Sequence, residues 1–376
     1  MERRVLMVAT VPSMIGQFNM HNIDILLGLG YQVDVAADFT DISVWPVERI
    51  KSFKEQLSTL NIECIQLDFS RSPLKLNRHI QSYREIKRLI KDRKYSFIHT
   101  HTPIASAIVR IAAHKMKTKV IYTAHGFHFY KGAPIKNWII FYPLEKYLSK
   151  YTDILITINK EDYSIAAGKF KAKKTAYVPG VGINVESFEK SSFSRAEKRK
   201  EIGVPSDAKL LISVGELSVR KNHKTVVSAL QKLSNEYWYV IVGRGDLEDE
   251  LKSLDNTGRL KLLGYRNDIA ELLHASDLFV FPSIQEGLPV SLMEAMASGL
   301  PVVCSDIRGN DDLVDDGYGG FLCDCRDVNR YVEAINQVSP ERAKEMCIYN
   351  ISKIKEFDIT EINKQMHSIY EAVELA

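Results

Sequence analysis

Short apolar runs alternate with helix-period segments along the whole chain, and few folds accommodate that alternation. In the first half the runs are Val5–Val11, Val33–Ala37, Cys64–Phe69, Phe97–Thr100, Val120–Thr123, Ile154–Ile158 and Thr175–Val178. In the second half they are Leu210–Val214, Trp238–Val242, Leu260–Leu263, Leu278–Phe281 and Pro301–Cys304, each followed by a polar or glycine turn and a helical pattern. Strands that alternate with helices predict parallel sheets covered by helices, an α/β chain. At 376 residues the chain is about twice the usual domain length of ~100–200, so two doubly wound domains are expected. The charged, serine-rich stretch 186–206 is the predicted linker.

Charge and cysteine content narrow the function. With 50 basic and 47 acidic residues the net charge is only +3, and no dense basic block interleaves with aromatics, so nucleic acid is not an expected partner. The five cysteines, Cys64, Cys304, Cys323, Cys325 and Cys347, are scattered and contain no C-x-x-C pair, which predicts reduced thiols in the cytosol. Cys323 and Cys325 are read as buried thiols rather than metal ligands, and no metal site is expected. Pro12 closes the first apolar run, which therefore reads as a core strand rather than a leader. No stretch reaches the ~18 apolar residues of a spanning helix.

The segment 281–301, FPSIQEGLPVSLMEAMASGLP, carries the strongest chemical signal. A buried strand leads into a glycine turn and then a helix, whose first N–H groups and dipole suit phosphate. Glu286 and Glu294 stand eight residues apart, about 12 Å if helical, too far for a glycosidase pair at about 5–9.5 Å. Two separate contacts to one elongated ligand fit better, since carboxylates accept hydrogen bonds from sugar and ribose hydroxyls.

Glu-x7-Glu, together with SVGELSVRKNH (213–223), VGRGD (242–246), LLGYRNDIAELLHASDLFVFPS (262–283), GGFL (319–322), TAHGFHFYKG (123–132) and VPGVGINVESF (178–188), resembles the retaining family-4 glycosyltransferases of the GT-B fold. The resemblance spans nearly the whole chain. It implies two Rossmann-like domains facing across a cleft. Residues 1–188, completed by the C-terminal helix 357–376, would bind the acceptor, and residues 189–356 would bind the nucleotide sugar. Lys221 matches the lysine that contacts the donor diphosphate, assisted by Arg220 beside Gly215. Glu294 matches the carboxylate that holds the ribose hydroxyls, and Glu286 the one near the transferred sugar. Gly287, Leu288 and Val290 would offer backbone N–H groups, while Pro289 has none. Tyr265 and Arg266 resemble the loop that holds the base. His125 resembles the histidine that faces the transferred sugar, with His99, His101 and His128 nearby and read as structural. The turn 10–18, with Gly16, resembles the family's N-terminal glycine loop near the diphosphate. Two departures stand out: Glu216 occupies a place where many members carry arginine, and the usual double glycine is reduced to Gly16.

The implied reaction is transfer of a sugar, an N-acetylhexosamine or derivative, from a UDP-sugar to a lipid-linked or saccharide acceptor in bacterial capsule, exopolysaccharide or lipopolysaccharide assembly. The anomeric configuration would be retained through same-face attack, with His125, Lys221 and Glu286 positioning and stabilising charge and no metal or other cofactor. The stretch 127–150 mixes Trp138, Phe141, Tyr142 and Tyr147 with Lys131, Lys136, Lys146 and Lys150, a composition suited to an anionic inner-leaflet surface. A cytoplasmic, membrane-peripheral enzyme is expected. The alternatives are a nucleotide-sugar epimerase of the same fold and a non-catalytic sugar-nucleotide-binding relative.

Overall fold

Leu6 and Val8 of the first strand point to one face of a sheet and Val5 and Met7 to the other, and all four are fully buried. A strand covered on both faces needs apolar side chains at every position, which is why these strands read as continuous runs. The computed structural model describes residues 3–70, 72, 74–189 and 193–375. Contacts divide the chain into two units, Met1–Val181 with Glu361–Ala376, and Gly182–Thr360.

The first unit contains β1 (Arg4–Val8), β2 (Gln32–Ala37), β3 (Glu63–Gln66), β4 (Phe97–Thr100), β5 (Lys119–Ala124), β6 (Ile154–Thr157) and β7 (Lys174–Tyr177). They form a parallel sheet in the order β3-β2-β1-β4-β5-β6-β7. Strand order reverses between β1 and β4, the kind of switch point where open α/β sheets bind ligands beyond the strand C-termini. One face is covered in part by the helix Ile359–Leu375, which buries Ile362, Met366, Ile369, Tyr370 and Val373 against Val5, Met7 and Ile121. The other face packs Ile86, Ile90, Val109 and Ala112 on Leu6, Val8 and Val120. The first strand is shorter than its apolar run. Past Val8 the chain is pinned by Thr10, whose N–H donates to Thr102 Oγ1 at 2.8 Å, and Pro12 starts the helix Pro12–Phe18.

The second unit contains β8 (Lys209–Val214), β9 (Tyr237–Val242), β10 (Leu260–Leu262), β11 (Leu278–Phe281), β12 (Val302–Ser305) and β13 (Gly320–Cys323). Its sheet is also parallel, in the order β10-β9-β8-β11-β12-β13, with its switch point between β8 and β11. Its core includes Leu211, Val226, Leu230, Tyr239, Ile241, Leu278, Val280 and Val303. β13 is absent from the strands expected above because Gly319 before it and Gly320 at its start read as a turn. The reason for glycine is contact: a Cβ on Gly320 would lie 2.1 Å from the Val302 carbonyl oxygen of β12.

The predicted linker 186–206 is not a spacer. Ser194 caps the helix Arg195–Glu201 by accepting from the Glu197 N–H. Arg199, buried despite its charge, donates to the carbonyls of Ser206, Ala208 and Ala275 and pairs with Asp277 at 2.6 Å. This buried guanidinium fastens the segment to the second unit, and composition alone gives no sign of it. Lys190, Ser191 and Ser192 of that stretch, and Ala376 of the predicted C-terminal helix, lie outside the described residues.

Candidate functional site

In the second unit the turns after β8 and β11 meet. Asn222, in the left-handed conformation that asparagine tolerates (φ 54°), donates through Nδ2 to the carbonyls of Pro282 (3.0 Å) and Cys325 (2.7 Å). The Ile284 N–H donates to the Arg220 carbonyl at 2.8 Å. These bonds bring Lys221 and Glu286, 65 residues apart in sequence, into a 2.7 Å ion pair. Arg220 adds a second donor, its Nη1 standing 2.9 Å from the same Glu286 oxygen. Only about a tenth of either the Lys221 or the Glu286 side chain is exposed. Burial lowers the Lys221 pKa and Glu286 opposes that shift. The Lys221 stem crosses the bare face of Gly215, where a Cβ would lie 3.1 Å from Cε, and its ammonium stands 4.6 Å from the Phe281 ring centre.

The glycines of VGRGD support this arrangement from behind. A Cβ on Gly243 would fall 1.9 Å from the Gly215 carbonyl oxygen, and one on Gly245 would fall 2.4 Å from that of Leu217. The turn before Gly287 is held by a residue that the sequence reading missed. Arg308, buried after β12, donates from Nε (3.2 Å) and Nη2 (3.1 Å) to the Glu286 carbonyl. Its neighbour Gly309 has φ 84°, and a Cβ there would lie 2.3 Å from the Gly287 carbonyl oxygen. Neither residue belongs to a recognisable pattern, because these contacts are with main-chain atoms.

Glu294 lies within the helix Val290–Ala297, whose N-cap is Pro289. Burial pushes its carboxyl up to about 7, so at neutral pH it is divided between acid and carboxylate. Leu288 is buried and Val290 half-buried at the start of that helix. Tyr265 is exposed, whereas the Arg266 guanidinium is committed to Asp268 (Nε–Oδ1 2.7 Å) and Glu201 (2.5 Å). The Arg266 guanidinium is therefore already engaged. Glu216 is exposed and lies within electrostatic reach of Lys221.

In the first unit the chemistry gathers at the C-terminal ends of β4 and β5. His101 Nδ1 and His125 Nε2 are 3.3 Å apart, and His101 Nε2 is 3.0 Å from Met7 Sδ. His99 bonds through Nδ1 to Tyr370 Oη (2.9 Å) and through Nε2 to Thr123 Oγ1 (2.8 Å). Burial lowers the pKa of His125 to about 4 and of His99 to about 3, and it holds His101 well below its ordinary value. These rings are neutral at physiological pH. His125 lines a small pocket with His21, Asn19, Asn22 and Thr123.

One expectation needs correction here. Gly16 is not in a glycine loop: it sits inside the helix Pro12–Phe18, and a Cβ there would lie 2.4 Å from the Trp45 ring. Its lack of a side chain serves packing. In the 127–150 stretch, Trp138, Phe141 and Tyr142 pack inward on Phe127 and Phe129. The large apolar and aromatic residues exposed along the helix Ile135–Ser149 are Ile135, Ile139, Ile140, Leu144 and Tyr147.

Comparison with known proteins agrees with this architecture. Residues 194–353 match the family model of glycosyl transferases group 1, and residues 23–159 match that of glycosyl transferase 4-like proteins. EpsD of Bacillus subtilis (strain 168), assigned as a glycosyltransferase, is 32% identical over 386 aligned positions, covering 99% of this chain and 97% of its own. The UDP-Gal:alpha-D-GlcNAc-diphosphoundecaprenol alpha-1,3-galactosyltransferase of Escherichia coli is 31% identical, covering 72% of this chain and 73% of its own. Among solved structures, Anabaena HepE in complex with UDP-glucose superposes with a TM-score of 0.78 at 19% identity, over 98% of this chain and 99% of its own. A likeness at that identity concerns the fold. The chain belongs to the group 1, family-4-like glycosyltransferases and has their GT-B fold.

Proposed function

We propose that the protein transfers a hexosyl or N-acetylhexosaminyl group from a UDP-sugar to a lipid-linked or saccharide acceptor in bacterial surface polysaccharide biosynthesis, with retention of configuration. The observation that carries this reading is the buried Lys221–Glu286 pair, closed by Arg220, at the switch point of the second sheet. Two cations facing Glu286 present positive charge where a departing diphosphate gains negative charge, with the exposed Glu216 carboxylate offsetting part of it. Glu286 gives those cations a partner in the free enzyme and an acceptor for sugar hydroxyls when donor binds. Glu294, on the adjoining helix, would accept hydrogen bonds from the ribose hydroxyls. The backbone of Gly287, Leu288 and Val290 would approach the donor. Tyr265 and the backbone of Arg266 would face the base.

His125 in the first unit would contact the transferred sugar. Positioning and charge stabilisation suffice for same-face attack in which the leaving phosphate oxygen takes the acceptor proton, so no enzyme base and no metal are required. The named activities of relatives support the substrate classes. One is the galactosyltransferase above, and another, from Campylobacter jejuni, is an N,N'-diacetylbacillosaminyl-diphospho-undecaprenol alpha-1,3-N-acetylgalactosaminyltransferase, 25% identical.

Such acceptors lie at a bilayer. Among the described residues no helix is long and apolar enough to cross a membrane. The helix Ile135–Ser149 instead offers its exposed isoleucines with Lys136 and Lys146, a surface suited to lying on the anionic inner leaflet. The test is turnover of UDP-galactose, UDP-N-acetylglucosamine and UDP-N-acetylgalactosamine with sugar-diphospho-polyprenol acceptors. Conversion of UDP-sugar without acceptor would favour an epimerase, and no turnover with any pair would favour the non-catalytic reading.

A further inference from the structure

His125 does not stand alone in the fold, and its neighbours decide which of its nitrogens carries hydrogen. Its Nε2 lies 3.3 Å from Nδ1 of His101, whose other nitrogen, Nε2, lies 3.0 Å from Met7 Sδ. A thioether has no hydrogen to give and only accepts, weakly. If His101 carried its hydrogen on Nδ1, its Nε2 lone pair would face sulfur lone pairs in the core, a buried acceptor with no donor. His101 is therefore the Nε2–H tautomer, and its Nδ1 is a bare acceptor turned to His125. The contact closes only if His125 carries its own hydrogen on Nε2. Burial disfavours the imidazolium form of both rings, so each holds a single hydrogen.

The His101 ring is itself fixed. Its centre lies 4.1 Å from that of His99, which is tied at both nitrogens to Tyr370 and Thr123. With 1% of its surface exposed, His101 has no direct contact with solvent-borne ligands and acts through His125.

We propose that His101 is a positioning residue that fixes His125 as the Nε2–H tautomer, leaving Nδ1 of His125 to accept a hydrogen bond from a hydroxyl of the transferred sugar. This rests on the reading that His125 contacts that sugar. An acceptor nitrogen selects a hydroxyl and repels a phosphate oxygen, whereas an imidazolium, a donor at both nitrogens, would attract the phosphate. The donor's sugar ring, not its diphosphate, is then what His125 recognises.

The experiment is two-bond 15N–1H correlation spectroscopy of the full chain labelled with 15N-histidine, with His125→Gln and His101→Asn used for assignment. The expected spectrum shows the Nε2–H pattern for both His101 and His125; an Nδ1–H or averaged pattern for His125 would overturn the proposal. His101→Leu should mix the tautomers of His125 and lower kcat/KM by roughly 5- to 10-fold, the worth of about one hydrogen bond. In His101→Asn, Oδ1 takes the place of Nδ1, so the tautomer should persist and kcat/KM should stay within about 3-fold of wild type. Unchanged tautomer and kcat/KM in His101→Leu would refute the positioning role. If that variant fails to fold, the wild-type spectrum still decides, and Met7→Leu should release the His101 pattern. A His125→Ala variant with undiminished kcat/KM would instead refute the reading of His125 itself, whatever its tautomer.

Discussion

Glu294 offers a quantitative test of the donor site, because the fold and the ligand make opposite demands on it. Burial pushes its carboxyl from an ordinary 4.5 up to about 7, so ionising it in the folded protein costs on the order of 3 kcal/mol. Its folded pKa lies above its unfolded one. The corresponding stability is therefore fully present below about pH 4.5 and is lost as pH rises through about 7. Glu294→Gln removes this dependence. Relative to wild type it should gain little below pH 5, while at pH 8 and above it should melt roughly 6–12 °C higher, given about 2–4 °C per kcal/mol for a unit of this size. On the proposed donor reading, ribose hydroxyls would reverse the preference, since the carboxylate accepts two hydrogen bonds and the acid only in part. By isothermal titration, UDP-N-acetylglucosamine should bind wild type about tenfold more tightly at pH 8 than at pH 6, following the ionised fraction of a group near pKa 7. The Gln variant should bind weakly and without that slope. A wild-type affinity flat across this interval, or a stability difference equal at pH 5 and pH 8, would refute the reasoning.

Lys221→Ala should fold and still reduce kcat/KM for transfer by at least ~100-fold in a steady-state assay, because the leaving diphosphate loses its nearest cation. Gly309→Ala should lower stability by about 2–4 kcal/mol in a denaturation series, since φ 84° and the Gly287 carbonyl at 2.3 Å leave no room for a methyl group. Ile139→Glu with Ile140→Glu should weaken partition into anionic vesicles by at least ~10-fold in a sedimentation assay, while transfer to a soluble acceptor is unchanged.

Much of this architecture was legible because buried parallel strands write themselves as apolar runs; β11 and β12 are examples. β13 escaped because glycine, chosen there for contact with β12, also signals a turn. Lys221 and Glu286 were marked by motif resemblance, but nothing local says that they touch. Their meeting depends on β8 and β11 being neighbours across a switch point. Arg199 and Arg308 were invisible for a different reason: each holds backbone carbonyls, and such partners leave no trace in side-chain pattern. Gly16 shows the converse error, a glycine in a plausible place whose demand is the Trp45 ring. Helical phase likewise turned Trp138, Phe141 and Tyr142 inward and Tyr147 and the isoleucines outward, a distinction that composition cannot make.

The central claim is retaining, metal-independent transfer from a UDP-sugar. Its most direct test is incubation of the enzyme with EDTA, α-linked UDP-sugars and a sugar-diphospho-polyprenol acceptor, followed by NMR of the product's anomeric proton. The account predicts an α-linked product at a rate unaffected by EDTA. A β-linked product, a rate abolished by EDTA, or UDP-sugar altered without transfer would contradict it.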